Sequence, residues 1–480
     1  MSLGKVMTSV TTLPAFKAVI DGRLVDGPDR LPVTNPATGE IFAYAPDCDA
    51  AQLDDAVAAA RRAFAPWSAT PSEIRGDKLR AIAAKIQEEL EPLSCLLTRE
   101  QGKTLAEARL EIETAARWFA YYADQDLPVE ERREPDGRRA EIRRVPLGVV
   151  GAVAPWNFPV QLMAWKLAPA LKAGNTVVAK PSPFTPLATL RLGELMAELL
   201  PPGTFNILTG GDHLGPLMSG HPHIDKIAFT GSTATGKAVM RSAAGTLKRL
   251  TLELGGNDPA IVLADADPEA VAERIYWGAF RNAGQVCIAA KRIYVHDAIY
   301  ERFAEKMVAL AHAYPPMPGD APGARMGPVQ NRVQFERVKT MIEDARASGL
   351  TFLTEPGDMA GPGYFIAPTI IDNPPDDSAV VREEPFGPLL PLLRFTDVDE
   401  VVRRANASEY GLAASVWSAD MEAAAALGRR LEAGTVWLNT IHGLTPTLPF
   451  GGHKQSGIGV ENAEEGLREY TNVQVLVKAA

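Results

Sequence analysis

The chain has 480 residues, of which 46% are hydrophobic and 22% are charged, and it is therefore long enough to form two or more domains with large cores. Its 59 acidic residues outnumber its 49 Lys and Arg residues and leave a net charge of -10. Surfaces that bind nucleic acid or anionic lipid depend on dense positive charge, so the composition argues against both classes of partner.

The cysteines and the apolar segments indicate in which cellular compartment the protein is expected. Cys48, Cys95 and Cys287 are too few and too scattered for a disulfide framework or a C-x-x-C metal site. Residues Met1 to Asp21 lack the basic segment and the apolar run of a secretion signal. The most apolar stretch, Leu147 to Pro155, is far shorter than the roughly 20 residues that span a bilayer. We expect a soluble, cytoplasmic protein.

The first predicted elements are three amphipathic helices with polar start signals. Asp49 and Gln52 stand at the beginning of the first helix, and Thr70-Pro71-Ser72-Glu73 forms a capping box at the second. Thr104 and Glu107 open the third helix. Apolar stripes at helical spacing usually face a core, so we expect these helices to be scaffold.

The next segment, Glu130 to Arg144, is dense in charge and contains the turn Pro135-Asp136-Gly137. It is consistent with a solvated loop, but polar and apolar residues alternate loosely from Arg139 to Val145, as they would in an exposed strand or arm. The C-terminal residues Asn472 to Lys478 also alternate. Such a terminal strand can pair with a partner chain by edge addition.

Short β-rich runs alternate with helical stretches from about residue 147 onward. This alternation predicts a parallel sheet covered by helices, which binds ligands at the carboxyl ends of its strands. The runs are Leu147 to Ala154, Asn175 to Lys180, Thr204 to Leu208, Lys226 to Thr230 and Arg249 to Leu254. A second series, Ala260 to about Asn439, precedes a Gly-rich segment at residues 450–457 and predicts a second α/β domain.

The segment Gly231 to Lys237 follows one of these runs and opens a predicted helix. It nearly matches a phosphate-binding P-loop, but Ala238 replaces the hydroxyl residue that would bind Mg²⁺, which argues against a nucleotide triphosphatase. A Gly-Ser turn at a helix N-terminus still suits a pyrophosphate. The alternative is that the glycines only permit a tight turn. No G-x-G-x-x-G follows any predicted strand, so a dinucleotide would bind by another arrangement.

Three further positions, Cys287, Glu253 and Asn157, carry side chains that could take part in catalysis. Cys287 follows Asn282, Gly284 and Gln285, which are poor core-helix residues and indicate a loop that exposes the thiol; the alternative is an inert core cysteine. Glu253 ends an apolar strand, where desolvation would raise its pKa toward that of a general base, unless it is salt-bridged or faces solvent.

Asn157 stands between aromatic and proline residues after a predicted strand. An amide donor held rigidly in an apolar mouth is what an oxyanion requires, and a structural turn cap is the alternative.

Six motifs in this order resemble those of the NAD(P)-dependent aldehyde dehydrogenase superfamily, over nearly the whole chain. They are Pro155 to Pro159, Phe229 to Ser232, Leu252 to Gly256, Gly284 to Cys287, Glu383 to Pro388 and Pro449 to Gly452. The resemblance implies an α/β fold with an atypical Rossmann cofactor domain, an α/β catalytic domain and a small β oligomerisation arm. It implies cofactor binding by residues 1–126 and 146–255, catalysis by 256–455, and oligomerisation by 127–145 and 456–480.

The resemblance also implies roles. Cys287 matches the nucleophile, Glu253 the general base, and Asn157 the amide that stabilises an oxyanion together with the Cys287 backbone N–H. Attack on an aldehyde would then give a thioester after hydride transfer, and water activated by Glu253 would release the acid.

The cofactor would be NAD, with NADP as the alternative. Lys180 matches the residue at the adenine ribose, Ser232 the pyrophosphate residue and Glu384 the nicotinamide ribose ligand. In many NAD-preferring members a Glu lies three positions after the lysine, and here Pro183 stands there. The implied cofactor site comprises Pro155, Trp156, Lys180, Ser182, Gly231, Ser232, Leu254, Glu384 and Phe386.

The substrate wall is apolar at the positions that we can identify. Phe158, Leu162 and Trp165 share one helix face, and Val286, Ile288 and Phe450 match positions that line the family's substrate tunnel. A hydrophobic aliphatic or aromatic aldehyde would suit this wall, unless the stripe is core. We identify no Arg pair that would bind a substrate carboxylate.

Other functions remain as alternatives. An acylating enzyme would resolve the thioester with CoA or phosphate and leave Glu253 idle, and an inactive scaffold would not need the three catalytic residues. A cysteine hydrolase normally needs a His base, but none of the seven histidines lies in such a motif or in H-E-x-x-H, so we predict no metal site. We expect a small-molecule aldehyde as substrate, a homodimer or homotetramer, and no nucleic acid or membrane partner.

Overall fold

Two sheets covered by helices form the body of the protein. The structure is a computed structural model that describes residues 16–480, so the prediction for Met1 to Asp21 falls mostly outside the described part of the chain. In chain order the strands are β1 (Ala18–Ile20), β2 (Arg23–Val25), β3 (Asp29–Asn35), β4 (Glu40–Asp47), β5 (Glu130–Arg133), β6 (Arg139–Pro146), β7 (Val149–Val153), β8 (Thr176–Lys180), β9 (Phe205–Ile207), β10 (Lys226–Thr230), β11 (Arg249–Glu253), β12 (Asp258–Val262), β13 (Ala290–His296), β14 (Thr351–Phe352), β15 (Thr369–Asp372), β16 (Leu389–Phe395), β17 (Tyr410–Gly411), β18 (Ala413–Trp417), β19 (Thr435–Leu438), β20 (His453–Lys454), β21 (Gly457–Ile458) and β22 (Thr471–Lys478).

The helices lie between these strands and cover both sheets. In chain order they are α1 (Ala50–Ser68), α2 (Ser72–Glu88), α3 (Leu90–Gln101), α4 (Leu105–Ala123), α5 (Pro159–Lys172), α6 (Leu187–Ala197), α7 (Leu214–Gly220), α8 (Thr233–Ala243), α9 (Pro268–Phe280), α10 (Tyr300–Ala313), α11 (Arg332–Ala347), α12 (Ala379–Arg382), α13 (Val398–Asn406), α14 (Met421–Gly428) and α15 (Ala463–Arg468). None of the described helices is long and apolar enough to cross a lipid bilayer.

The first sheet has the strand order β2-β1-β9-β8-β7-β10-β11-β21. Its five central strands, β9, β8, β7, β10 and β11, run parallel and coincide with the five predicted runs to within two residues at each end. Strands β7, β8 and β10 are buried on both faces, which is why their sequences are mostly apolar, whereas β11 begins with the exposed Arg249. The carboxyl ends of β7, β8, β10 and β11 therefore meet at one edge, as the sequence predicts.

The second sheet has the strand order β14-β15-β16-β13-β12-β18-β19, and only β14 pairs antiparallel in it. Helices α9 and α10 pack against each other beside it. The side chain of Asp267 caps α9, and Pro268 occupies the first helical position. This helix leads directly into the loop that carries Cys287.

A third, antiparallel sheet has the order β22-β6-β5. Of the two interpretations of Glu130 to Arg144, the strand is correct, because β5 and β6 form a hairpin around the predicted turn. β22 pairs with β6 of its own chain from Thr471 to Lys478. β21, which belongs to the predicted arm segment 456–480, instead pairs with β11 in the first sheet.

Two of the three predicted helix starts are confirmed. The side chains of Asp49 and Gln52, and those of Thr104 and Glu107, form capping boxes at α1 and α4. The capping box predicted at Thr70 is wrong: α2 begins at Ser72 without a side-chain cap. Thr70 Oγ1 instead donates to the Pro66 carbonyl at 3.0 Å, which turns it back onto the end of α1.

Candidate active site

Cys287 lies on an irregular loop, and its side chain is half-buried. Asn282 and Ala283, in the turn that follows α9, have left-handed φ angles of 50° and 54°. Gly284 also has a positive φ, and a Cβ there would lie 2.4 Å from the Gly387 carbonyl oxygen. The side chain of Gln285 holds the loop: it donates to the Asn282 carbonyl and accepts from the Gln330 N–H, both at 2.8 Å. The expectation that these residues form a loop is confirmed.

Glu253 ends β11 in a buried position. Neither oxygen of its carboxyl group has a hydrogen-bond partner within residues 16–480. Burial raises the pKa of this carboxyl well above its usual value, Glu461 raises it further, and Lys166 opposes the shift. A buried carboxyl without donors favours the protonated form, and it is suited to exchange a proton with a water or a thiol that enters the site.

Asn157 lies between β7 and α5, directly beside the cysteine loop. Its side-chain amide donates to the Gln285 carbonyl at 3.0 Å. Its own carbonyl accepts from Lys103 Nζ at 2.8 Å and from Asn282 Nδ2 at 3.1 Å. The amide that could stabilise an oxyanion is therefore tied to the loop of the nucleophile, so the two groups are held in one geometry.

A fully buried ion pair between Lys103 and Glu111 supports this arrangement. One Glu111 oxygen accepts from the Val160 and Gln161 N–H groups at the start of α5, at 2.9 and 3.2 Å. The pair therefore anchors the helix that follows Asn157. Sequence reasoning missed both residues. Each is an ordinary charged residue near the start of α4, and only tertiary contacts reveal its partners.

Two cavities meet at Cys287. The first has a volume of about 220 Å³ and the second about 160 Å³, and Cys287 and Thr230 line both of them. Glu253 lines only the first cavity, whereas Asn157 lines only the second. The thiol therefore faces two separate spaces, one for each of two reactants.

Every residue predicted for the substrate wall lines the first cavity: Phe158, Leu162, Trp165, Val286, Ile288 and Phe450. Trp118, Arg117, Arg281 and His442 also line it, and sequence reasoning missed all four. The sequence by itself identifies no Arg pair, yet two arginines line this cavity. Arg117 comes from α4 and Arg281 from the end of α9, so no local motif joins them.

Seven of the nine predicted cofactor residues line the second cavity: Pro155, Trp156, Gly231, Ser232, Leu254, Glu384 and Phe386. Ser232 caps the eleven-residue helix α8 by accepting from the Thr235 N–H at 3.2 Å. Glu384 pairs with Lys291 at 2.9 Å, and a Cβ on Gly255 would lie 2.4 Å from the Glu384 carboxylate. Sequence reasoning missed Lys291.

Lys180 and Ser182 do not line either cavity, although they follow the same sheet edge. Lys180 ends β8 and is buried, and its ammonium forms no ion pair within residues 16–480. Burial lowers its pKa to about 8, while Asp212 and Asp47 oppose the shift. The Ser182 hydroxyl accepts from the Phe184 N–H at 3.3 Å. No group of three or more potential metal ligands occurs in residues 16–480.

The comparisons with known proteins identify the family. A family model described as "Aldehyde dehydrogenase family" matches residues 25–476. The chain is 40% identical over 463 residues to aldehyde dehydrogenase LUC3 of Fusarium sp, covering 96% of this chain and 98% of that protein. It is also 40% identical to betaine aldehyde dehydrogenase 1 of Oryza sativa subsp. japonica, covering 94% and 92%.

A solved structure of similar fold is betaine aldehyde dehydrogenase from Staphylococcus aureus in complex with NAD+. It has 36% identity and a TM-score of 0.92, and the match covers 96% of this chain and 94% of that one. The predicted fold class is confirmed. The matched region, residues 25–476, includes both cavities and the residues Cys287, Glu253 and Asn157. The chain belongs to the aldehyde dehydrogenase family.

Proposed function

We propose that this aldehyde dehydrogenase converts an aldehyde to the carboxylic acid through a covalent intermediate on Cys287. The observation that supports the proposal most strongly is the position of the thiol between two cavities. The first cavity, which contains Glu253 and the apolar wall, would hold the aldehyde. The second cavity, which contains the helix α8 N-terminus and Glu384, would hold the cofactor.

The residues around the thiol would act in a definite order. Burial raises the pKa of the Cys287 thiol to about 12, so attack on the aldehyde carbon requires transfer of its proton to a base. The ionised form of Glu253, which lines the same cavity, would accept that proton and release it to solvent. The new carbon–sulfur bond places negative charge on the former carbonyl oxygen, and the Asn157 amide and the Cys287 backbone N–H would stabilise that charge. NAD, when bound, supplies the acceptor for the hydride that leaves this carbon. Glu253, again in its ionised form, would then take a proton from the water that attacks the thioester carbon. The carbon–sulfur bond breaks, the carboxylic acid is released, and the Cys287 thiolate recovers the proton from Glu253.

Residues of the second cavity, together with Lys180 at the same sheet edge, carry groups suited to a dinucleotide. The capped N-terminus of α8 presents N–H groups suited to a pyrophosphate. The Glu384 carboxylate reaches the cavity because Gly255, over which it passes, has no side chain. Lys180 has an ammonium that lacks an ion-pair partner in the described chain, and ribose hydroxyls could accept from it. Asp47 and Asp212 are close enough to raise the Lys180 pKa. They would repel a 2′-phosphate, and we therefore propose NAD rather than NADP.

The test is to measure reduced nicotinamide and carboxylic acid together, with NAD and NADP in parallel, across short, long and aromatic aldehydes. We expect one acid molecule for each NADH, a higher kcat/KM with NAD, and no requirement for CoA or phosphate. Neutral apolar aldehydes should be oxidised because the wall is largely apolar. An acyl-CoA product, or cofactor binding without reduction in the presence of any of the aldehydes, would contradict the proposal.

Replacing Asn157 by alanine should lower kcat by about 10²- to 10³-fold, because one donor to the oxyanion is lost. NAD affinity should change little, because the substitution removes one amide from the wall of the second cavity and leaves the α8 N-terminus and Glu384 in place. Steady-state kinetics and an NAD titration give the two values. Asn406→Ala is a suitable control because its amide donates to the Arg430 carbonyl away from both cavities. Equal kcat in both variants would remove Asn157 from the reaction.

The assembly and the compartment are also proposals. β22 leaves one edge without a partner strand in the described residues, and Val473, Val475 and Val477 on it are exposed. Pairing of this edge between subunits would give the homodimer or homotetramer. The three free cysteines are compatible with the cytoplasm.

A further inference from the structure

The first cavity contains two guanidinium groups. Leu110, Thr114 and Arg117 all line this cavity. They follow one another in α4 at spacings of four and then three residues, so they lie on one face of the helix. Arg117 is exposed and Arg281 is half-buried, so the two guanidinium groups lie at different depths. Neither forms an ion pair with a carboxylate in residues 16–480, and the sequence of residues 1–15 contains no Asp or Glu. Both positive charges are therefore left for a ligand.

No exposed carboxylate on the wall balances these charges. The one acidic residue that lines the cavity is Glu253, and burial favours its neutral form. His442 also lines the cavity, and its Nε2 lies 3.1 Å from the Ile288 carbonyl. Burial and the nearby Arg281 lower the pKa of His442 to about 3, so this ring is neutral. The net charge presented to an aldehyde is positive.

The aromatic rings do not form an open site for a cation. The Phe158 ring already has Lys103 Nζ at 3.8 Å and the Arg281 guanidinium at 5.5 Å from its centroid. Trp118 and Trp165 stack on each other at 5.3 Å, with an interplanar angle of 16°. The indole N–H of Trp165 is buried and has no acceptor in the described residues, so the wall offers a further donor.

We propose that this cavity selects aldehydes with an apolar body and an anionic oxygen group remote from the aldehyde, and that Arg281 and Arg117 bind that group. The inference rests on the proposed function and gives its substrate class. Guanidinium groups bind carboxylate and phosphate oxygens through paired, charge-assisted hydrogen bonds. The same charges disfavour a quaternary ammonium aldehyde, in contrast to the substrate in the names of the betaine aldehyde dehydrogenase relatives.

The test compares aldehydes that differ mainly in charge. The anionic probes are 4-carboxybenzaldehyde and 4-formylphenyl phosphate, which separate the two sources of anionic oxygen, and 4-methylbenzaldehyde is the neutral reference. Betaine aldehyde is compared with 3,3-dimethylbutanal, in which carbon replaces the quaternary nitrogen. We expect kcat/KM for at least one anionic probe to exceed that of the neutral reference by about 10-fold or more, and betaine aldehyde to fall about 10-fold or more below its neutral analogue.

Variants assign the effect to the two arginines. Arg281→Gln should lower the ratio of anionic to neutral kcat/KM by about 10- to 100-fold, as expected for a lost charged hydrogen bond in a half-buried site. Arg281→Lys should restore part of it. Arg117→Gln should lower the ratio less, about 3-fold, and its contribution should vanish in high salt because Arg117 is exposed. Arg302→Gln is the control, since Arg302 lies on α10 and pairs with Glu269.

The outcomes separate the two proposals. Oxidation of neutral aldehydes with no preference for either anionic probe, an unchanged ratio in Arg281→Gln, or betaine aldehyde turned over as well as 3,3-dimethylbutanal would overturn the charge selection and leave the proposed function intact. Oxidation of none of these aldehydes, with NAD still bound, would overturn both. A preference for 4-formylphenyl phosphate alone would support the inference and identify a phosphate as the anionic group.

Discussion

Replacing Cys287 by serine is expected to lower aldehyde-dependent NADH formation by at least about 10³-fold, because a buried hydroxyl ionises far less readily than a thiol. Burial already raises the pKa of the Cys287 thiol to about 12, although Lys291 opposes the shift. A serine hydroxyl in this place has no comparable route to the ionised nucleophile. The measurement is steady-state NADH formation, with NAD binding titrated in the same preparation.

Cys95→Ser is the matched control, since Cys95 is exposed on α3 outside both cavities and its variant should retain wild-type activity. Alkylation of Cys287 provides a second measurement. Below a raised pKa the thiolate fraction grows about tenfold per pH unit, so the alkylation rate of the free protein should keep rising from about pH 6 to about pH 9. Near-normal turnover in Cys287→Ser, or an alkylation rate that levels off near neutral pH, would contradict the assigned role.

Replacing Glu253 by glutamine is expected to lower turnover by about 10²- to 10⁴-fold and to raise the Tm by a few degrees. Glutamine has nearly the same shape but cannot accept a proton from the attacking water. It also removes the cost of placing an ionisable group where neither oxygen has a hydrogen-bond partner in the described residues. Kinetics and thermal unfolding of one preparation test the two effects together.

The stability gain should depend on pH in a defined direction. The pKa of Glu253 is higher in the folded protein than in the unfolded chain. Between these two pKa values the folded protein binds more protons, so wild-type stability falls as the pH rises. The Tm difference between Glu253→Gln and wild type should therefore widen from about pH 5 to about pH 8. A difference that narrows over this range would mean that Glu253 is ionised and stabilised in the folded protein.

Glu100→Gln is the control for this prediction. Burial also raises the pKa of Glu100, to about 8, but its carboxylate accepts from the Leu187 and Ala188 N–H groups at the start of α6. Glutamine can replace only one of the two acceptor oxygens, so this variant should lose stability and keep most of its turnover. An increase in Tm for both variants would show that any loss of buried charge stabilises the protein.

Much of the first sheet could be predicted because its signals are local. A strand buried on both faces needs a short, mostly apolar run, and β7, β8 and β10 each have one, whereas β11 alternates Leu250 and Leu252 with polar residues. Asn157, Lys180, Gly231 and Glu253 follow or end such runs, so their positions near one sheet edge could be inferred before any contact was known. The capping box predicted at Thr70, which the structure does not contain, shows the limit of this approach. A hydroxyl has several backbone groups within reach, and here the end of the preceding helix binds it.

The sequence alone determined the family, the alternation of strands and helices, and the chemical identity of the thiol, the carboxyl group and the amide. Those features reside in residue types and in spacings along the chain. Only the tertiary structure decided that Lys103 and Glu111 brace the Asn157 loop, and that Arg117 and Arg281 give an apolar cavity a positive charge. The physical reason is distance along the chain: Arg117 lies in α4 and Arg281 directly follows α9, and packing of the whole fold brings them to one cavity.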